Sequence, residues 1–174
     1  PVVCKILNRE FPTERELSVF RREYQITARL EGDGAVRAYA LVEADHALAM
    51  ILEDSFGVSL DRDERLVRAG LGEKLSFAAN AAEALSRIHA RKIIHRNVSP
   101  ANILYDPRTL AVRFIDFGLS LEFPGEITAG PVGGTIEGTL SFIAPEQTGR
   151  LNASIDFRSD LYSLGLILFE LVTL

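Results

Sequence analysis

The sequence predicts an α+β fold, with a small β-rich N-terminal part and a mainly helical remainder, and three observations carry that prediction. Short β-rich runs cluster in the first third, at residues 1–7 (PVVCKIL), 35–44 and 47–53. Longer stretches with apolar residues at helical spacing occupy residues 14–30, 71–92 and 156–174. Two more short β-rich runs, 103–105 and 111–115, are joined by the turn-prone Asp106-Pro107-Arg108 and read as a hairpin. The whole has 174 residues, 47% hydrophobic and 25% charged, with a formal net charge of −5, a composition that suits a soluble globular domain. The acidic balance argues against nucleic acid and anionic membrane as main partners.

Each element has its own signals. The first run carries one lysine, Lys5, among apolar residues, which as a strand lysine alone could simply face solvent. Residues 14–30 place Leu17, Phe20, Tyr24 and Leu30 on one side of a helix. Thr13 suits the N-cap, and Glu16 three residues on completes a capping-box pattern. Glycines at 32 and 34 break the chain, and strands 35–44 and 47–53 follow, with a tight turn at Asp45-His46. In residues 71–92 the expected buried face is Leu75, Ala78, Ala82, Leu85 and Ile88, and the alanines of 78–84 favour close helix packing. His89 near that helix's C-terminus reads as structural. In the last helix Leu161, Leu164, Leu168 and Leu171 fit a buried face. The longest apolar stretch, 161–174, is too short to span a bilayer and contains Glu170. A single cysteine, Cys4, excludes an internal disulfide framework and fits a reducing cytoplasm.

The chemistry concentrates in residues 93–118, IIHRNVSPANILYDPRTLAVRFIDFG. A hairpin there brings Asn102 close to Asp116, an amide oxygen beside a carboxylate, which is a hard-oxygen pair suited to Mg²⁺ and through it to nucleotide phosphates.

His95-Arg96-Asn97, Asn102 five residues later, and Asp116-Phe117-Gly118 resemble the catalytic loop and metal-binding loop of eukaryotic-type Ser/Thr protein kinases. Gly138-Thr139 through Ala144-Pro145-Glu146 resembles the end of that family's activation segment. The resemblance implies a protein-kinase-like fold with a partial N-lobe (1–54), a hinge (55–59) and a partial C-lobe (60–174). It implies ATP and Mg²⁺ as cofactors. Lys5 would hold phosphates and pair with Glu23, with Glu16 as the rival glutamate. Val3 and Leu104 would enclose the adenine, Leu52 would be the gatekeeper, and the backbones of Glu53 and Ser55 would meet the adenine edge. Asn102 and Asp116 would bind the metal, Gly118 would allow the sharp turn after Asp116, and Thr139 would contact residue 97. His95 would be a packing residue, Arg96 would pair with an activation-segment phosphate or orient the loop, and Asp160 would brace the catalytic loop. Glu146 would lack its usual arginine partner, and Ser120, Thr128 and Thr135 are candidate phosphosites.

Two departures bear on activity. Asn97 stands where the family has its catalytic aspartate, and Ser99 where Ser/Thr kinases usually carry a lysine. An amide orients a hydroxyl but takes no proton near pH 7. The resemblance therefore leaves three readings: a weakened Ser/Thr kinase, a nucleotide-binding pseudokinase that regulates a partner domain, and a structural fragment without ligand. The run from 138 to 165 resembles more narrowly the kinase-like head of large signalling proteins that also carry AAA-type ATPase, GAF and histidine kinase regions. That implies a protein substrate or partner and fusion to further signalling domains. The match starts at the lysine strand and stops at the large C-lobe helix, so the expectation is a truncated domain, exposed along residues 161–174 and marginally stable alone.

Overall fold

The computed structural model describes residues 1–7, 12–44, 47–123, 139–149 and 153–173. The predicted turn at Asp45-His46, the glycines of 125–138, and Thr128 and Thr135 lie outside these. The fold is α+β, as predicted. In order come β1 (Val2–Ile6), α1 (Glu14–Leu30), β2 (Ala38–Ala44), β3 (Ala47–Glu53) and β4 (Val58–Ser59). They are followed by α2 (Glu64–Arg68), α3 (Leu71–Ala90), β5 (Ile93–Ile94), β6 (Ile103–Asp106), β7 (Ala111–Phe114), β8 (Leu121–Glu122) and α4 (Phe157–Thr173). Among the described residues no helix is long and apolar enough to cross a membrane.

The first sheet is antiparallel in the order β1-β3-β2, with Lys5 opposite Met50 and Val3 opposite Leu52. Side chains alternate along a strand, so Val3 and Lys5 share the face turned toward α1 and the rest of the molecule. The helix α1 begins with the predicted capping box: the Thr13 hydroxyl accepts from the Glu16 N–H at 3.3 Å, and Glu16 accepts from the Thr13 N–H at 2.8 Å. Phe20 packs with Leu48 and Met50 under the sheet, while Ile26 and Leu30 join the main core. One expected strand is shorter than its sequence suggests. Ala35 makes only an isolated bridge to Phe114, and pairing with β3 starts at Ala38.

The main core is built on α3, the β6–β7 hairpin and α4. Here the helix phase departs from expectation. The buried face of α3 is Lys74, Phe77, Ala81, Ala84, Leu85 and Ile88, whereas Leu75 is 56% exposed and Ala82 faces solvent. Phe77 sets that phase: its ring meets Tyr105 edge-on at 5.4 Å, burying far more surface than Leu75 offers. In α4 the buried apolar residues are Leu164, Ile167 and Leu171, and Leu161 is 53% exposed. Phe169 and Val172 are also mostly exposed, so α4 carries an apolar face that no described residue covers.

Gly34 joins the two regions. It lies at φ +73°, and a Cβ there would sit 2.1 Å from the Ala84 carbonyl oxygen on α3. Gly34→Ala combines a left-handed alanine with a backbone clash, and is expected to cost about 2–3 kcal/mol, read from the urea midpoint. The β6–β7 turn is held by Asp106, whose carboxylate accepts from the Arg108 backbone at 3.0 Å and from its guanidinium at 3.1 and 3.3 Å. The Arg108 bonds hold the Asp106 carboxyl at about 2, below its usual 3.8. A lowered folded value means that this stabilisation is complete above pH ~3.8 and is lost as pH falls through ~2. Asp106→Asn is therefore expected to flatten the stability curve between pH ~4 and ~2, measured by denaturant titration at each pH.

Candidate functional site

A cleft of about 550 Å³ opens between the first sheet, α1 and the hairpin. Val3, Leu52 and Leu104 form apolar walls, and Lys5, Glu23 and Asp116 stand at its polar end. Lys5 Nζ lies 2.6 Å from Glu23 Oε1 and 2.9 Å from Asp116 Oδ1. Thus three elements 18 and 111 residues apart in sequence meet at one ammonium. Glu23, not Glu16, is the glutamate brought to Lys5, because Glu23 lies on the buried face of α1 while Glu16 is spent on the N-cap. Burial pulls the Lys5 ammonium down, but the Glu23 and Asp116 carboxylates outweigh it and hold Lys5 above the ordinary lysine value.

Asn97 extends this chain of contacts. Its amide Nδ2 reaches Asp116 Oδ2 at 3.5 Å, and its Oδ1 accepts from the Thr139 N–H at 3.2 Å and lies 3.5 Å from the Thr139 hydroxyl. Asn102 Nδ2 donates to the Asn97 carbonyl at 2.9 Å, and the Ile115 N–H donates to the Asn102 carbonyl at 3.0 Å. The hairpin therefore fixes Asn102 to the residue before Asp116, while Asn97 links the two side chains.

The loop beneath is anchored by Asp160, which is almost fully buried on α4. Its Oδ2 accepts from the His95 N–H and from His89 Nε2, and its Oδ1 from the Arg96 N–H, all at 2.8 Å. Arg96 is left-handed at φ +65°, a conformation that costs a non-glycine residue about 1–2 kcal/mol. The two backbone bonds to Asp160 offset that cost. His95 is fully buried, and burial lowers its pKa, so its ring is neutral at pH 7. Its Nε2 donates to the Ile115 carbonyl at 3.1 Å, its Nδ1 accepts from the Asn97 N–H, and the ring packs 4.6 Å from Phe117. It props the loop from below, as a packing residue does.

Several placements differ from expectation. Asp116 itself is left-handed, at φ +67°, two residues before Gly118. Asp116 tolerates it because both carboxylate oxygens are partnered. Ser99 is fully buried and does not line the cleft, and its hydroxyl has no partner among the described residues. Glu146 takes a serine in place of the family's arginine: the Ser159 hydroxyl donates to it at 2.6 Å. Ser120, a candidate phosphosite, is fully buried and donates to the His95 carbonyl at 3.2 Å. Gln147 was not singled out by its sequence, yet its amide donates to the Arg96 carbonyl at 2.8 Å and clamps the same loop. Its one signal is its place three residues after Ala144, where its Oε1 accepts from the Ala144 N–H.

The residues present fit a nucleotide and its metal. Glu53 and Ser55 line the cleft, and the Ser55 hydroxyl is buried with no partner among the described residues. The Asn102 Oδ1 accepts no hydrogen bond among the described residues, which leaves an amide oxygen and the Asp116 carboxylate as donors. Among the described residues there is no cluster of three or more His, Cys, Asp or Glu. Two protein oxygens with the remainder supplied by phosphate and water is the way Mg²⁺ is usually held, whereas zinc would need a richer protein set.

Comparison with known proteins agrees with this geometry. The family model described as "Protein kinase domain" matches residues 1–174. The chain is 32% identical over 179 residues to the serine/threonine-protein kinase PknB of Mycobacterium tuberculosis, covering 99% of this chain and 28% of that protein. It is 30% identical over 181 residues to the serine/threonine-protein kinase pkn3 of Myxococcus xanthus, covering 99% of this chain and 32% of that protein. To the serine/threonine-protein kinase PksC of Streptomyces coelicolor it is 31% identical over 182 residues, with the same two shares of 99% and 32%. The chain therefore spans about a third or less of the length of the curated relatives it matches. With the family model covering residues 1–174 and the fold and cleft arranged as above, the chain belongs to the protein kinase domain family.

Proposed function

We propose that this is a Ser/Thr protein kinase domain that binds ATP with Mg²⁺ and phosphorylates a protein hydroxyl, with turnover lowered by Asn97. The observation that carries the reading is Lys5 held between Glu23 and Asp116 at the polar end of an apolar cleft. In this reading residues 1–54 are a partial N-lobe, 55–59 the hinge and 60–174 a partial C-lobe.

In this reading Val3 and Leu104 enclose the adenine, Leu52 is the gatekeeper, and Glu53 and Ser55 present their backbone to the adenine edge. Lys5, oriented by Glu23, holds the phosphates, and Asn102 and Asp116 hold the metal. Mg²⁺, when bound, supplies charge neutralisation on the transferring phosphoryl group. Asn97, fixed by Thr139, orients the substrate hydroxyl but does not accept its proton. Buried Ser99 supplies no charge there.

A second reading has one observation in its favour. Asn97 is a neutral amide already bonded at both ends, to Asp116 and Thr139, which suits a pseudokinase that binds nucleotide and regulates a partner domain. Fusion to AAA-type ATPase, GAF and histidine kinase regions in a cytoplasmic signalling protein fits either reading and rests on the resemblance of residues 138–165.

The test is a thermal shift with Mg·ATP on the full-length protein. At a hundredfold excess over Kd, binding stabilises by about 2.7 kcal/mol, which raises Tm by roughly 5 °C or more. Lys5→Met is expected to abolish the shift. No shift with the native protein, or an undiminished one with Lys5→Met, would remove nucleotide binding from the proposal.

A further inference from the structure

We infer that Asn97 makes nucleotide binding in this cleft largely independent of a divalent cation; the inference rests on the nucleotide-binding reading above. Asp116 has both oxygens partnered by the protein itself, Oδ1 by Lys5 at 2.9 Å and Oδ2 by Asn97 Nδ2 at 3.5 Å. The amide of Asn97 is not free to turn around. Its Oδ1 is held by the N–H and hydroxyl of Thr139, which leaves the NH₂ end facing Asp116.

A carboxylate at position 97 would reverse this arrangement. It would set two like charges a few ångströms apart, a repulsion that a bound cation relieves. With asparagine the same contact is an attraction, and no cation is needed to hold Asp116 in place. The charges at the polar end are then Lys5 against Glu23 and Asp116, a formal sum of −1, where an aspartate at 97 would make it −2. A metal-free polyphosphate is itself strongly anionic, so one negative charge fewer at close range favours it. The same change weakens the pull on a divalent cation. Asn97 is thus a residue that sets the form in which nucleotide is taken up, with metal or without.

Calorimetric titration of the full-length protein with ADP, in EDTA and in Mg²⁺, tests this without any turnover. The native protein is expected to bind ADP in EDTA within about threefold of its affinity in Mg²⁺. Asn97→Asp is expected to lose about tenfold or more in EDTA and to recover with Mg²⁺. Asn97→Ala adds no charge and is expected to stay within about fivefold between the two buffers. Equal metal dependence in the native protein and Asn97→Asp overturns the inference, as does Asn97→Ala behaving like Asn97→Asp. If none of the three binds ADP in either buffer, the nucleotide-binding reading falls and this inference falls with it.

Discussion

Asn97→Asp is expected to raise γ-phosphate transfer by about 10²–10⁴-fold, the usual contribution of a positioned general base. That corresponds to roughly 3–5 kcal/mol of barrier. The exchange is close to isosteric, and the contacts that place residue 97 survive it. The Thr139 N–H and hydroxyl, which approach Asn97 Oδ1 at 3.2 and 3.5 Å, serve a carboxylate oxygen equally well. The Asn102 amide bonds the backbone carbonyl of residue 97 and is indifferent to its side chain. What is lost is the donor facing Asp116, so the variant needs Mg²⁺ to quiet the new repulsion. Transfer of labelled γ-phosphate to a generic protein substrate, with Mg²⁺ saturating and both forms matched for folded fraction, reads the difference. If the native protein already transfers as fast as Asn97→Asp, Asn97 is not what limits the reaction, and positioning alone carries the catalysis.

The parts of this molecule that were legible from sequence are those fixed by short-range rules. The capping box at Thr13 and Glu16 names the start of α1, and the β6–β7 hairpin follows from two β-rich runs around Asp106-Pro107-Arg108. The meeting of Lys5, Glu23 and Asp116 was reached only through the family resemblance, since no periodicity links residues over a hundred positions apart. The two errors of helix phase have a common physical origin. Choosing Leu75 over Phe77 as a buried residue of α3, and Leu161 over Ile167 on α4, assumed that a regular leucine spacing marks the core. The phase is set instead by the bulkiest side chain that finds a partner, here Phe77 against Tyr105. The burial of Ser99 and the bond between Glu146 and Ser159 depend on how loops fold back on α4, which no local pattern encodes. The left-handed backbone of Asp116 carries no local sequence signal, and its strain is held by Lys5 and Asn97.

The largest expected loss of stability comes from a residue that never touches the cleft. Asp160→Ala removes the acceptor for the His95 and Arg96 N–H groups and for His89 Nε2. The His95 N–H is fully buried, and Asp160 accepts from both N–H groups at 2.8 Å. A buried donor left without a partner costs about 1–3 kcal/mol, and bonds to a carboxylate lie at the upper end. Two such donors at the upper end of that range imply a loss of about 4 kcal/mol, of which relaxation of left-handed Arg96 returns a part. Against a typical stability of about 5–15 kcal/mol that is enough to loosen the loop or to unfold the domain. Asp160→Asn separates charge from shape: one oxygen still accepts, but the amide end turns a donor toward a backbone N–H or toward His89. It is expected to lose about half as much. Urea midpoints of the two variants, with hydrogen exchange at His95 and Arg96, give the comparison. Undiminished protection of those two amides in Asp160→Ala would mean that the loop is held by the Gln147 clamp and the packing of His95 on Phe117 instead.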